Sequence, residues 1–125
     1  MHRHIDLPNK RSNAPFSDAV LAGNTLYIAG RIGTIPGSSI LPETPQDEAK
    51  FLMEDIKRIL AEAGMTMDDL VMVQVCTPDV ALFDIFNSVY EPYFTGKLPA
   101  RAFLGSGPLL SGANFEMSGV AIKQQ

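Results

Sequence analysis

The sequence predicts an α+β fold, a mixed β-sheet with two helices packed on one face. Three observations lead there. Two short apolar runs flank a Gly-Asn turn signal near the start, two later stretches repeat apolar residues every three or four positions, and strands of alternating pattern separate and close them. Helices that segregate to one side of a mixed sheet make an α+β sandwich.

The 125 residues match one domain, expected to span 1–125, since domains usually need about 100 to 150 residues. A composition 46% apolar and 19% charged supplies a core and excludes intrinsic disorder. Ten Lys and Arg against fourteen Asp and Glu give a net charge of -4, and the basic residues are scattered, so no nucleic-acid partner is expected. A single cysteine forbids an intrachain disulfide and a cysteine-rich zinc site, and suits a reducing compartment. Met1-His2-Arg3-His4-Ile5-Asp6 has no apolar run behind its positive charges, and no stretch approaches the ~18 to 20 apolar residues of a membrane span. A soluble, cytoplasmic domain without membrane association is the expectation.

The elements follow in order. Ala19-Val20-Leu21-Ala22 and Leu26-Tyr27-Ile28-Ala29 read as a hairpin about Gly23-Asn24-Thr25, with the second strand running to Ile32 and a Gly, Pro and Ser-rich loop over 33–42. Thr44-Pro45-Gln46-Asp47 offers a hydroxyl N-cap, a proline where its missing N–H costs nothing, and an acid in the first turn. The helix it opens places Ala49, Leu52, Met53, Ile56, Ile59, Leu60 and Ala63 on one face and ends at Gly64. Leu70–Thr77 reads as a half-buried strand, with Val71, Val73 and Val75 alternating against Met72, Gln74 and Cys76. Pro78-Asp79 stops it, and residues 81–95 repeat the helical spacing through Leu82, Ile85, Phe86, Val89 and Tyr90. Strands Ala100–Gly105 and 115–122 complete the chain, the last with Phe115, Met117, Gly119 and Ala121 opposite Glu116, Ser118, Val120 and Ile122. Apolar residues on both sides of these strands leave a sheet face that a partner subunit would cover.

Arg101 is the most informative position. It stands in Leu98-Pro99-Ala100-Arg101-Ala102-Phe103-Leu104, pointing with Phe103 and away from Ala100 and Ala102. A guanidinium held by a strand among apolar neighbours can grip a carboxylate through two parallel hydrogen bonds. The residues equally allow an arginine that reaches solvent or pairs with an acid across an interface. Arg31, beside Gly30, is a second strand cation, for which solvation at a sheet edge is the simpler reading. Glu116 and Ser118 share one face of the last strand and could address one pocket, although a surface carboxylate needs no such role. His2 and His4 would share a strand face, but no third ligand accompanies them at a terminus free to fray, so no metal is expected. Cys76 has no nearby His or second Cys and reads as an inert thiol. Gly105-Ser106-Gly107 precedes a proline rather than a helix, so it is no nucleophile elbow.

These residues together resemble the Rid/YjgF family, also called RutC-like or reactive intermediate deaminase, and in older usage endoribonuclease L-PSP. The resemblance covers nearly the whole chain. It lies in Ala14-Pro15-Phe16-Ser17, in Leu26-Tyr27-Ile28-Ala29-Gly30-Arg31-Ile32, in Ala61-Glu62-Ala63-Gly64, in Asp79, in Phe83-Asp84-Ile85-Phe86-Asn87-Ser88-Val89-Tyr90, in Tyr93-Phe94 and in Leu98-Pro99-Ala100-Arg101. It implies a chorismate-mutase-like fold, a homotrimer around a central β-barrel, and clefts between subunits in which enamines and imines are hydrolysed to 2-oxo acids and ammonia. No cofactor is implied, and the partner is a small carboxylate-bearing metabolite.

The same resemblance makes Arg101 the carboxylate anchor of a 2-imino acid, places backbone groups near Gly30 and Phe103 against the imine, and lets Phe16 close the cleft where relatives commonly carry Tyr. Asn87 matches a helix residue associated with subunit packing. Arg31 joins the candidate binding residues through its place beside Gly30. The chain departs from the family in two places. Phe103 stands where deaminases of the family typically carry Cys, and Ser118 where they carry a water-positioning Glu. Ser118 can orient water but cannot act as a carboxylate base, and Glu116 is two residues away, ~6.5 to 7 Å by strand rise. The chain therefore reads as a divergent member, either an imine hydrolase or a non-catalytic sensor of 2-oxo acids. A ribonuclease reading lacks both a catalytic His pair and a basic groove.

Overall fold

A computed structural model describes residues 2–8, 10 and 13–124. Six strands form one sheet: β1 (His2–Ile5), β2 (Ala19–Ala22), β3 (Thr25–Arg31), β4 (Leu70–Thr77), β5 (Ala100–Gly105) and β6 (Glu116–Ile122). Their order is β1-β2-β3-β6-β4-β5, antiparallel throughout except for β4 and β5, which run parallel. Helices α1 (Pro45–Glu62) and α2 (Phe83–Tyr90) pack on one face, and α2 is the crossover that a parallel β4–β5 pair requires. The expected α+β sandwich is thus present.

Local chemistry sets the element ends. Gly23, at φ 63°, opens the two-residue turn between Ala22 and Thr25. The Thr44 side chain accepts from the Asp47 N–H at 3.1 Å, and Pro45 begins α1. Gly64, at φ 72°, ends it with the Met65 N–H donating back to the Leu60 carbonyl at 2.8 Å. Between these ends Leu52, Met53, Ile56, Ile59 and Leu60 are fully buried against Leu26, Ile28, Val73, Val75 and Met117. Each such side chain stabilises the fold by about 1.5–3 kcal/mol, far more than helix propensity supplies.

Four expectations are corrected. The terminal segment is a paired strand: β1 pairs with β2 from His2↔Ala22 to Ile5↔Ala19, which makes the hairpin a three-stranded meander. Val71 does not share a face with Val73, because a register irregularity between Leu70 and Met72 turns it outward. The helix expected over 81–95 is shorter. Asp79 caps a single tight turn, Val80–Leu82, before α2, and Pro92, which has no N–H to donate, ends the α-helical pattern after Tyr90. Finally, the strand expected to run to Ile32 ends at Arg31, and β3 carries a bulge between Ile28 and Arg31, one extra residue against β6, which decides where Gly30 and Arg31 point.

Candidate functional site

Arg101 pairs with Val73 across β4–β5, and Phe103 with Val75, so both project to the side that carries the helices. On that side Arg101 is partly exposed, its guanidinium carbon 4.8 Å from the centroid of the Tyr90 ring, 5.4 Å from Phe103 and 5.5 Å from Phe83. Among the described residues it takes part in no ion pair, whereas Lys10, Arg31 and Arg58 each meet an aspartate. A hollow of about 120 Å³ opens beside it, lined by Asn87, Tyr90, Glu91, Leu98, Pro99 and Arg101. Asn87 Oδ1 and the Tyr90 hydroxyl are buried there without a hydrogen-bond partner among the described residues. Burial pushes the Tyr90 hydroxyl up to about 12 against the opposing influence of Arg101, so it stays neutral at physiological pH.

Glu116 and Ser118 lie elsewhere. They pair with Cys76 and Gln74 across β4, out of phase with Val75 and Val73, and so face the side without helices. The three residues expected to carry the chemistry are therefore not brought together within one chain: Arg101 is on one side of the sheet, Glu116 and Ser118 on the other. Gly30 does join the latter pair. The β3 bulge brings its Cα so close to Glu116 that a Cβ there would stand 2.8 Å from Oε1. Beside them, Tyr27, Ile28, Met72, Gln74, Ser118, Gly119 and Val120 line a hollow of about 270 Å³. In its lining Tyr27 is exposed by 54% and Met72 by 40%, and on the same side of the sheet Leu104 and Ile122 are exposed as well.

Arg31 is not solvated at an edge. The bulge turns it toward α1, where Nη2 donates to Asp55 Oδ2 at 3.1 Å and Nη1 lies 3.4 Å from Asp18 Oδ1. Both ends of the guanidinium are occupied by carboxylates, and the structure gives no support to a substrate contact. Phe16 is half exposed, with Lys10 Nζ 5.1 Å from its ring centroid, and it lines neither hollow. His4 Nδ1 lies 2.9 Å from Ser17 Oγ, and no group of three metal-ligating side chains occurs among the described residues. Cys76 is partly exposed, with Gln74 Nε2 3.7 Å from its sulfur.

Glu48 was missed by the sequence reading. It is 1% exposed and accepts from the Asn114 N–H at 2.7 Å, Asn114 Nδ2 at 2.9 Å and the Phe115 N–H at 3.0 Å, anchoring the approach to β6 onto α1. Its place in the first turn of a helix suggested only a favourable dipole interaction. No helix of the described residues is long and apolar enough to cross a membrane.

A six-stranded mixed sheet with both helices on one side places the chain in the α+β sandwich class. Residues 8–123 match the family described as endoribonuclease L-PSP. A 2-iminobutanoate/2-iminopropanoate deaminase of Rattus norvegicus is 34% identical over 109 residues, which cover 86% of this chain and 80% of the relative. A RutC family protein of Sulfurisphaera tokodaii is 34% identical over 110 residues, 87% of this chain and 88% of the relative. The crystal structure of RidA from an Antarctic Psychrobacter species superposes with a TM-score of 0.88 at 30% identity, covering 96% and 99% of the two chains. The chain belongs to the endoribonuclease L-PSP, or Rid/YjgF, family.

Proposed function

We propose that the chain is a hydrolytic deaminase of small enamines and imines, converting 2-imino acids to 2-oxo acids and ammonia in a cleft between subunits. The observation that carries this reading is Arg101, a strand-held cation beside a hollow with no acidic partner among the described residues, in a chain whose relatives include named imine deaminases. A carboxylate gripped by two parallel hydrogen bonds would hold the adjacent imine carbon in one orientation, and most of the rate gain would come from that placement.

The reaction needs water at that carbon. Water oxygen bonds to the imine carbon, a proton passes to nitrogen to give a carbinolamine, and the C–N bond then breaks to release ammonia and the 2-oxo acid. Glu116 and Ser118 are the groups suited to handling that water, Ser118 by orienting it and Glu116 by accepting its proton. They face away from Arg101 within the chain, so the proposal requires a neighbour's open sheet face to approach the β5 edge. A homotrimer closed around those faces would satisfy this and would cover the apolar surface about Tyr27 and Met72. Gly30 would offer backbone groups beside Glu116, the Phe103 backbone would contact the imine, and Phe16 and Asn87 would take closing and packing roles. Each chain contributes one such domain, and a cytoplasmic location with no cofactor fits the chemistry.

The test is ammonia release from 2-imino acids generated in situ by an amino-acid oxidase. The native chain is expected to accelerate release over buffer for several amino acids, and Arg101→Ala to abolish the gain; no acceleration for any of them overturns the reading. The second reading, a sensor that binds 2-oxo acids without turnover, draws on Ser118 standing where the family resemblance expects a carboxylate. Pyruvate or 2-oxobutyrate raising the melting temperature through Arg101, with no ammonia released, would favour it. A net charge of -4 gives neither reading a polyanion substrate.

A further inference from the structure

We propose that Phe83, Tyr90 and Phe103 form an aromatic box that holds the Arg101 guanidinium in place of an acidic partner, which makes Phe103 a positioning residue for the anchor. This rests on the reading of Arg101 as a carboxylate anchor and adds how the anchor is kept ready. All three ring centroids lie 4.8 to 5.5 Å from the guanidinium carbon, inside the ~6 Å over which a ring attracts a cation. Phe83 and Tyr90 are seven residues apart on α2, two helical turns, so they share a face, and Phe103 reaches that face from β5.

The box is itself braced. Phe83 meets Phe103 edge-on at 5.1 Å, and the buried Phe86 packs behind, 5.8 Å from Phe103, 5.6 Å from Tyr90 and 4.9 Å from Phe115. The contrast with Arg31 shows what this achieves. Arg31 spends its terminal nitrogens on Asp55 and Asp18, and a ligand would have to displace them. Rings attract a cation through their quadrupoles and use none of its five N–H donors, so the box fixes Arg101 while leaving those donors to the ligand. Of the three walls Phe103 is the one where the family resemblance expects the smaller cysteine, so the box is a property of this chain's own sequence.

The experiment compares Phe83→Leu and Phe103→Leu with Tyr90→Phe. Phe83 is 44% exposed, so its leucine variant keeps the fold. The readouts are pyruvate and benzoate affinity by calorimetry, KM and kcat for imine hydrolysis, and the NMR shifts of the Arg101 side-chain protons. Expected are an upfield ring-current shift of those protons in the native chain, its collapse in Phe83→Leu, and a rise of Kd and KM of about tenfold in both leucine variants with kcat little changed. Tyr90→Phe, which keeps the ring, should keep the ring-current shift of the Arg101 protons. Unshifted Arg101 protons, or leucine variants that bind carboxylates as the native chain does while Arg101→Ala does not, overturn the box. A native chain that binds no carboxylate, yet whose Arg101 shift collapses in Phe83→Leu, leaves the box standing and overturns the anchor reading alone.

Discussion

The Glu116 carboxylate lies against the Cα of Gly30, at a distance where a Cβ would stand 2.8 Å from Oε1. Because the obstructing atom is the far end of a flexible side chain, Gly30→Ala should fold, with a loss of about 1 kcal/mol or less. The carboxylate would nevertheless move. If Glu116 serves the reaction, Gly30→Ala is expected to cut kcat at least tenfold with the melting temperature shifted by only a few degrees, measured by ammonia release and thermal unfolding of the same sample. Unchanged kcat would remove Gly30 and Glu116 together from the site.

Gly33 makes the opposite case. A Cβ there would stand 1.9 Å from the Glu48 carbonyl oxygen, a backbone atom that cannot swing aside. Gly33→Ala should therefore cost about 3 kcal/mol or more, read as a drop in the urea midpoint.

Glu48→Ala should destabilise by a similar amount, about 3 kcal/mol, since it leaves the N–H groups of Asn114 and Phe115 unpaired beside a new cavity. Calorimetric melting checks the size. Amide exchange at Asn114 and Phe115, expected to accelerate, checks the cause.

Stability at high pH should depend on Tyr90. Its folded-state value is raised from 10.0 to about 12 chiefly by burial, so the unfolded chain releases this proton first. The contribution is whole below pH 10 and is lost as pH rises through about 12. Tyr93 has the same sign, raised by burial and by donating to Glu54 Oε2 at 2.5 Å. Urea unfolding at steps from pH 8 to 12 should show stability falling above pH 10, less steeply in Tyr90→Phe. Asp6 and Asp68 work at the acid end, held below the usual carboxylate value by hydrogen bonds from Lys10 and Thr95. What they contribute is lost as pH falls through their lowered values.

The open sheet face should govern assembly. Met72→Lys and Val120→Lys each place a charge on the apolar surface that a neighbour would cover, and neither touches the helix-side core. Sedimentation is expected to show a trimer for the native chain and smaller species for the variants, with imine hydrolysis lost alongside. A native monomer that still turns over would overturn the intersubunit cleft.

Periodicity made most of the fold legible. The faces of α1, the alternation of β6 and the Thr44 and Gly64 ends of α1 could all be read because they depend on residues within a turn or a strand. The same locality explains the failures. Val71 and Arg31 each sit beside a strand irregularity, and one extra residue reverses every side chain beyond it without marking the apolar pattern. β1 is too short and polar for its alternation alone to fix a strand, and its pairing with β2 decides the matter.

For the site, the sequence by itself determined which groups are available: Arg101 among apolar neighbours, Glu116 and Ser118 on one face, Gly30 where a backbone can be approached. Only the tertiary structure decided how they are grouped. Strand pairing sets Arg101 on the helix side and Glu116 with Ser118 on the other, and packing of α2 against β5 surrounds Arg101 with aromatic rings. A side chain's type and its alternation along a strand are local properties. Which neighbour it meets across a sheet or from a helix depends on register, and register is set by the whole chain at once.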